Sequence, residues 1–207
     1  MDAIFLSASV PVPGRGDYYQ SADPFLIQFA VRELITAALG RRLIVWGGHP
    51  AITPMVWAAC EDLSVDYGHA VVLYQSTFFK DVYPDENKQF GNVEYIDHIE
   101  NDREGSLQRM REAMISRTDL SAAVFIGGME GIAAEYDLFV KHHPKTVVIP
   151  VTAPGGAVRD LAVKLGVRPE HLEDVDFSRM FHNALGIAPN EPRNTLGGNP
   201  VRLRRKP

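Results

Sequence analysis

Cysteine is almost missing from this chain: Cys60 stands alone among 207 residues. An internal disulfide and any metal site built on cysteine pairs are thereby excluded, and a reducing cytoplasm fits. Basic charge is also in deficit. With 21 Lys and Arg against 26 Asp and Glu, the net charge is −5. The body of the chain is therefore not a general nucleic-acid binder. No apolar run approaches the ~20 residues of a membrane span. The opening MDAIFLSASVPVP carries an acid at position 2 and no basic stretch. It is read as a strand entering the fold, not a signal peptide. No repeat, low-complexity tract or linker divides the chain. What remains is 45% hydrophobic and 23% charged, an ordinary globular composition. The length suits one α/β domain with a full core.

Hydrophobic patterning alternates between short apolar runs and helical periods. Strands are expected at residues 3–9 (AIFLSAS), 43–46 (LIVW), 70–74 (AVVLY), 93–96, 122–126 and 146–151 (TVVIPV). Helices are expected from Asp23-Pro24 to Gly40, over 53–63, over 102–117, after Gly131, up to Leu165, and over 169–185. Residues 10–20 hold two prolines, two glycines, Arg15 and two tyrosines, a loop long enough to cover a site. Residues 78–91 show no clear period and are read as a loop or short helical turn. Strands alternating with helices imply a doubly wound, mostly parallel sheet of Rossmann-like type. The domain is placed at 1–185. Residues 186–207 form a Pro/Gly/Asn-rich tail whose charges are mostly basic: Arg193, Arg202, Arg204, Arg205 and Lys206.

The richest stretch is SAAVFIGGMEGIAAE, residues 121–135. An apolar strand runs into Gly127-Gly128, and a helix starts near Gly131. Such a junction lies at the carboxyl edge of a parallel sheet, where ligands bind. Glycine allows a sharp turn and close backbone approach, and a helix start offers free N–H groups and partial positive charge. Two more strand ends carry glycine pairs, Gly47-Gly48 before His49 and Gly155-Gly156 after Thr152. Ser7 and Ser9 end the first strand and Gln75 stands at the tip of the third. An edge of amides and small hydroxyls, poor in lysine, suits a nucleotide or nucleotide sugar. Candidate ligand contacts are Ser7, Ser9, Gly47, Gly48, His49, Gln75, Gly127, Gly128, Met129, Glu130, Gly131, Thr152, Gly155 and Gly156. On this reading glycine-turn amides hold phosphates, and Glu130 or Glu135 accepts from a ribose hydroxyl. No His/Asp/Glu spacing points to a metal, and no cofactor is expected. Cys60 is read as a core residue.

Four segments together, FLSAS, GGHPAITPMV, FIGGMEGIAAE and the 152–156 turn, resemble the SLOG superfamily over most of residues 3–165. That superfamily joins the cytokinin-activating lonely-guy phosphoribohydrolases, the Smf single-strand-DNA proteins, and sensor domains beside TIR and sirtuin effectors in bacterial antiviral operons. The look is nearest to the stand-alone SLOG clusters of conflict systems. The resemblance implies recognition of a nucleotide-derived signal, with NAD- or ADP-ribose-derived species as candidates, a homo-oligomer, and a TIR or other effector as partner. The alternative it implies is an N-glycosidase acting on nucleoside monophosphates through Glu135.

The hydrolases carry PGGxGTxxE and an upstream Arg-Lys pair. Here Ile126 replaces the proline, Gly131 comes one position late, and no threonine follows. Met110 stands where the hydrolase arginine would, with Arg109 and Arg111 beside it. One residue on a helix is about 100° of rotation, so the hydrolase reading turns on which arginine reaches the site. The Smf-like reading would require a basic groove with aromatic platforms, and the chain is acidic.

Overall fold

The computed structural model describes residues 2–63 and 70–193. Six strands form one sheet: β1 (Ala3–Ser9), β2 (Leu43–Trp46), β3 (Val71–Ser76), β4 (Val93–Ile96), β5 (Leu120–Gly127) and β6 (Val147–Val151). Their order is β4-β3-β2-β1-β5-β6, and every pairing is parallel. The chain first steps outward from β1 to β4, then crosses back to lay β5 on the other side of β1. That reversal opens a crevice above the carboxyl ends of β1 and β5, the switch point of a doubly wound sheet.

Six helices cover the two faces: α1 (Pro24–Ala38), α2 (Thr53–Leu63), α3 (Arg103–Ile115), α4 (Gly131–His142), α5 (Val158–Lys164) and α6 (Phe177–Ala184). None of the helices among the described residues is long and apolar enough to cross a membrane. Strand alternation sorts the core into two layers. Ile4, Leu6, Ile44 and Trp46 pack under α1, α2 and α6. Ala3, Phe5, Val45 and Phe125 pack under α3, α4 and α5. Phe5 anchors the second layer, edge-on to Phe125 at 5.9 Å and stacked on Phe139 at 6.0 Å between centroids.

Local chemistry sets the helix starts. Asp23 caps α1 by accepting from the Phe25 and Leu26 amides, with Pro24 at the first position. Asp102 caps α3 through the Gly105 amide at 2.8 Å.

Some sequence expectations shift, while the short helical turn expected within 78–91 is present. Strand β3 runs on to Ser76 because its polar end still pairs with β4, Gln75 against Tyr95 and Ser76 against Ile96. Residues 78–91 fall within two 3-10 turns, Thr77–Val82 and Asp85–Gln89, and their linkers. The helix expected over 169–185 is interrupted. A 3-10 turn covers Pro169–His171, and α6 begins only after Asp176, which caps it through the Arg179 amide.

Beyond α6 the chain lies along the domain. Ile187 is buried. Arg41 donates to the Pro189 and Glu191 carbonyls, and Arg42 pairs with the Glu191 carboxylate at 2.7 Å. Arg193 donates to the Thr36 and Leu39 carbonyls at the end of α1. The remaining basic residues of the tail, Arg202, Arg204, Arg205 and Lys206, lie outside the described residues.

Candidate functional site

A cavity of about 350 Å³ opens above the carboxyl ends of β1, β2 and β3, beside the switch point, within the size range of small-molecule sites. The tip of β1 supplies Ser7, Ala8 and Ser9, and the loop after it supplies Arg15. Gly47, Gly48 and His49 come from the end of β2, and Gln75 and Ser76 from β3. Phe79, Val82, Tyr83 and Pro84 form one wall. The stripe Arg103, Leu107, Met110, Arg111 and Met114 of α3 forms another. Met129, Gly131, Ile132 and Glu135 close it at the start of α4.

Glu135 is the polar centre. Its two oxygens are claimed separately: Ser7 Oγ donates to Oε2 at 2.5 Å, and Arg111 Nε donates to Oε1 at 3.1 Å. The Arg111 and Glu135 side chains are only 13% and 18% exposed, so their attraction is weakly screened. Of Arg109 and Arg111, the one that reaches Glu135 is thus Arg111. Arg109 is exposed and does not line the cavity. Met110 lines the cavity and is 6% exposed.

The Gly47-Gly48 turn is braced from below. Gln75 Nε2 donates to the Gly47 and Gly48 carbonyls, each at 3.2 Å. Gly48 has φ +62°, and a Cβ there would sit 1.6 Å from Gln75 Nε2. Gln75 therefore both lines the cavity and shapes the turn beside it.

His49 Nδ1 accepts from the Ala51 amide at 3.2 Å, which leaves the ring proton on Nε2. Burial, and then the Arg15 charge, lower the His49 pKa from its usual 6.5. As pH falls, the unfolded chain takes up this proton before the folded one. Stability is thus complete above pH 6.5 and is lost below it, toward the lowered value. The melting temperature of the ligand-free protein is expected to drop as pH falls below 6.5, and His49→Gln to flatten that slope. An identical pH profile in the variant would refute the assignment.

Not every expected residue comes to the cavity. Ser7, Ser9, Gly47, Gly48, His49, Gln75, Met129, Gly131 and Glu135 line it; Gly127, Gly128, Glu130, Thr152, Gly155 and Gly156 do not. The Gly128 amide donates to the Ser9 carbonyl at 2.9 Å, and the Gly128 carbonyl accepts from Ala157 at 3.0 Å. The Gly155 amide donates to the Thr152 carbonyl at 2.9 Å. Thr152 is buried, its hydroxyl donating to the Leu172 carbonyl at 2.7 Å. A Cβ on Gly156 would stand 2.8–3.0 Å from the backbone of Gly127 and Gly128. The second and third glycine pairs thus lock three loops together and spend these amides internally. Glu130 is exposed, just ahead of α4 and close to Gly16.

Sequence reasoning missed Arg15 and Arg103 as cavity residues, and the Phe79–Pro84 wall. The α3 stripe had a signal in its 4, 3, 1, 3 spacing, which marks one helix face. Leu107, Met110 and Met114 on that face both pack into the core and line the cavity. Residues 79–84 have no period to read, so their placement had no sequence signal.

Cys60 is fully buried and its thiol is pushed up to about 12 by that burial, so it serves packing rather than nucleophilic chemistry. Among the described residues no three His, Cys, Asp or Glu side chains cluster to hold a metal ion.

Comparison with known proteins sets this geometry in a family. No curated protein matches the chain. The X-ray structure of TM1055, a Northeast Structural Genomics Consortium target, aligns with a TM-score of 0.53 at 14% identity, over 79% of this chain and 81% of that one. At that identity the likeness is one of fold. The family model of SLOG cluster3 matches residues 17–185. The chain belongs to the SLOG cluster3 family.

Proposed function

We propose that the chain binds a nucleotide-derived small molecule in this cavity and acts as a sensor of that molecule, with NAD- or ADP-ribose-derived species as candidates. The observation that carries the reading is the position and lining of the cavity. It lies above the carboxyl ends of β1, β2 and β3, combines hydroxyls and arginines with an apolar wall, and lies against the start of α4. An apolar wall takes a base, hydroxyls and a carboxylate take a ribose, and cations take phosphate. Signalling requires that the ligand prefer one assembly state over another, whether among copies of this chain or with a TIR-type effector in antiviral defence.

A second reading rests on one specific feature. The Arg111–Glu135–Ser7 set places a carboxylate and a cation side by side in the cavity. N-glycosidic hydrolysis needs both kinds of group, one to stabilise the oxocarbenium centre and one to stabilise the leaving side.

Thermal unfolding with AMP, ADP-ribose, cyclic ADP-ribose isomers and NAD separates the two. A ligand at 100 times its Kd adds about 2.7 kcal/mol. An upward shift with the ligand recovered intact by chromatography supports the sensor. Release of free base supports the hydrolase and overturns the sensor as the primary role. No shift with any of them overturns both.

A further inference from the structure

The cavity is cationic in a protein that is acidic as a whole. Its lining holds three arginines, Arg15, Arg103 and Arg111, against one carboxylate, Glu135, while the chain carries −5 overall. Arg111 and Glu135 offset one another. Two guanidiniums remain with no carboxylate facing them from the cavity wall. Arg15 is exposed and makes no ion pair among the described residues. Arg103 donates to Glu104, whose side chain is 72% exposed and does not line the cavity. Such a surface pair is worth little and yields readily to a phosphate oxygen.

The two arginines stand at different ends. Arg15 follows β1 and acts electrostatically on His49 at the tip of β2. Arg103 opens α3, and its guanidinium lies over the Phe79 ring just beyond β3, at 5.7 Å from the centroid. Gly16, next to Arg15, lies beside Glu130 just ahead of α4, whereas Phe79 follows β3. Between them the α3 stripe presents Met110 and Met114, an apolar floor. A cation in the first turn of α3 also works against the helix dipole, so helix stability does not account for Arg103. The Gly128, Gly155 and Ala157 amides are already spent inside the fold, and the arginines are the cationic groups of the lining.

We propose that the ligand carries two separate anionic groups. Its 5′-phosphoryl end is held at Arg15, a second phosphate is held at Arg103, and base and sugar lie over the methionine floor between them. This rests on the nucleotide-binding reading and narrows its ligand class to nucleotides bearing an additional ribose phosphate.

Calorimetric titration with two matched pairs tests it: AMP against adenosine 3′,5′-bisphosphate, and ADP-ribose against its 2′-phosphate. The added ribose phosphate is expected to tighten Kd by about tenfold or more at low salt, a gain that shrinks as salt rises. Arg103→Gln is expected to erase the gain while weakening the partner that lacks the ribose phosphate far less, with the ligand-free melting temperature unchanged. Equal Kd within both pairs overturns the two-anion proposal while nucleotide binding stands. So does an equal loss for both members of a pair in Arg103→Gln. Absence of binding by all four overturns nucleotide binding itself, and this proposal with it.

Discussion

Gly155→Ala is expected to lower the melting temperature by about 10 °C, at an unfolding cost of about 3 kcal/mol or more. Gly155 has φ +75°, and a Cβ there would fall 1.8 Å from the Ser21 carbonyl oxygen and 2.7 Å from its carbon. Both are backbone atoms, so no rotamer change relieves the clash. The 21–22 segment has to move, and with it the bond from the Asp23 amide to the Pro154 carbonyl, now 2.8 Å. Asp23 is the cap of α1, so the damage spreads from a turn to the longest helix among the described residues. The left-handed conformation adds about 1–2 kcal/mol for any residue with a Cβ. Gly166 provides the control. Its φ is +66°, but nothing lies within 4 Å of where its Cβ would be. Gly166→Ala should cost only the conformational part, a shift of about 2–8 °C at most and smaller than that of Gly155→Ala. Circular-dichroism melts of the two variants decide the matter. Equal shifts would show that the packing of the 152–156 turn against the loop before α1 does not matter.

Neutralising Glu135 is expected to have the largest effect at the site. Glu135→Gln keeps the size and the acceptor for Ser7 but removes the charge opposite Arg111. The pair is largely shielded from water, so a lone Arg111 is left poorly compensated, at a cost of about 1–3 kcal/mol in stability. Arg111→Met should cost a similar amount for the mirrored reason. The double variant should recover about 1–3 kcal/mol relative to the sum of the singles, which a double-mutant cycle of melts measures directly. Strict additivity would mean that the contact contributes nothing. Ligand behaviour divides the two functional readings further. With its carboxylate partner gone, Arg111 attracts anions more strongly, so a phosphorylated ligand should bind Glu135→Gln more tightly. If the chain hydrolyses a glycosidic bond, the same variant should lose about 10²–10⁴ in turnover while still binding. Tight binding with no turnover in either protein belongs to a sensor.

Much of the architecture was legible because it is local. The runs at 3–9 and 43–46 are strands with those same limits, since an apolar run closed by small or glycine residues has few other fates. Helix α1 announced itself through Asp23-Pro24, a cap and a first-turn proline that act on their own neighbours. The alternation of strands and helices implied a parallel, doubly wound sheet, because parallel strands need crossovers. The family resemblance, carried by short segments, also agrees with the match over 17–185.

The composition of the cavity was decided by tertiary structure alone. Three glycine pairs look alike in sequence, yet Gly47-Gly48 lines the cavity while the other two bind loops to each other. The difference lies in which strand each pair ends and what packs above it. Strand order is set by contacts between segments far apart in the chain. Likewise Arg111 meets Glu135 only because α3 and α4 lie side by side above β1, where Ser7 ends its strand. A one-residue shift in sequence left that meeting open. Helix rotation and the direction of a long, flexible guanidinium settled it, and neither is encoded in residues 109–111 by themselves.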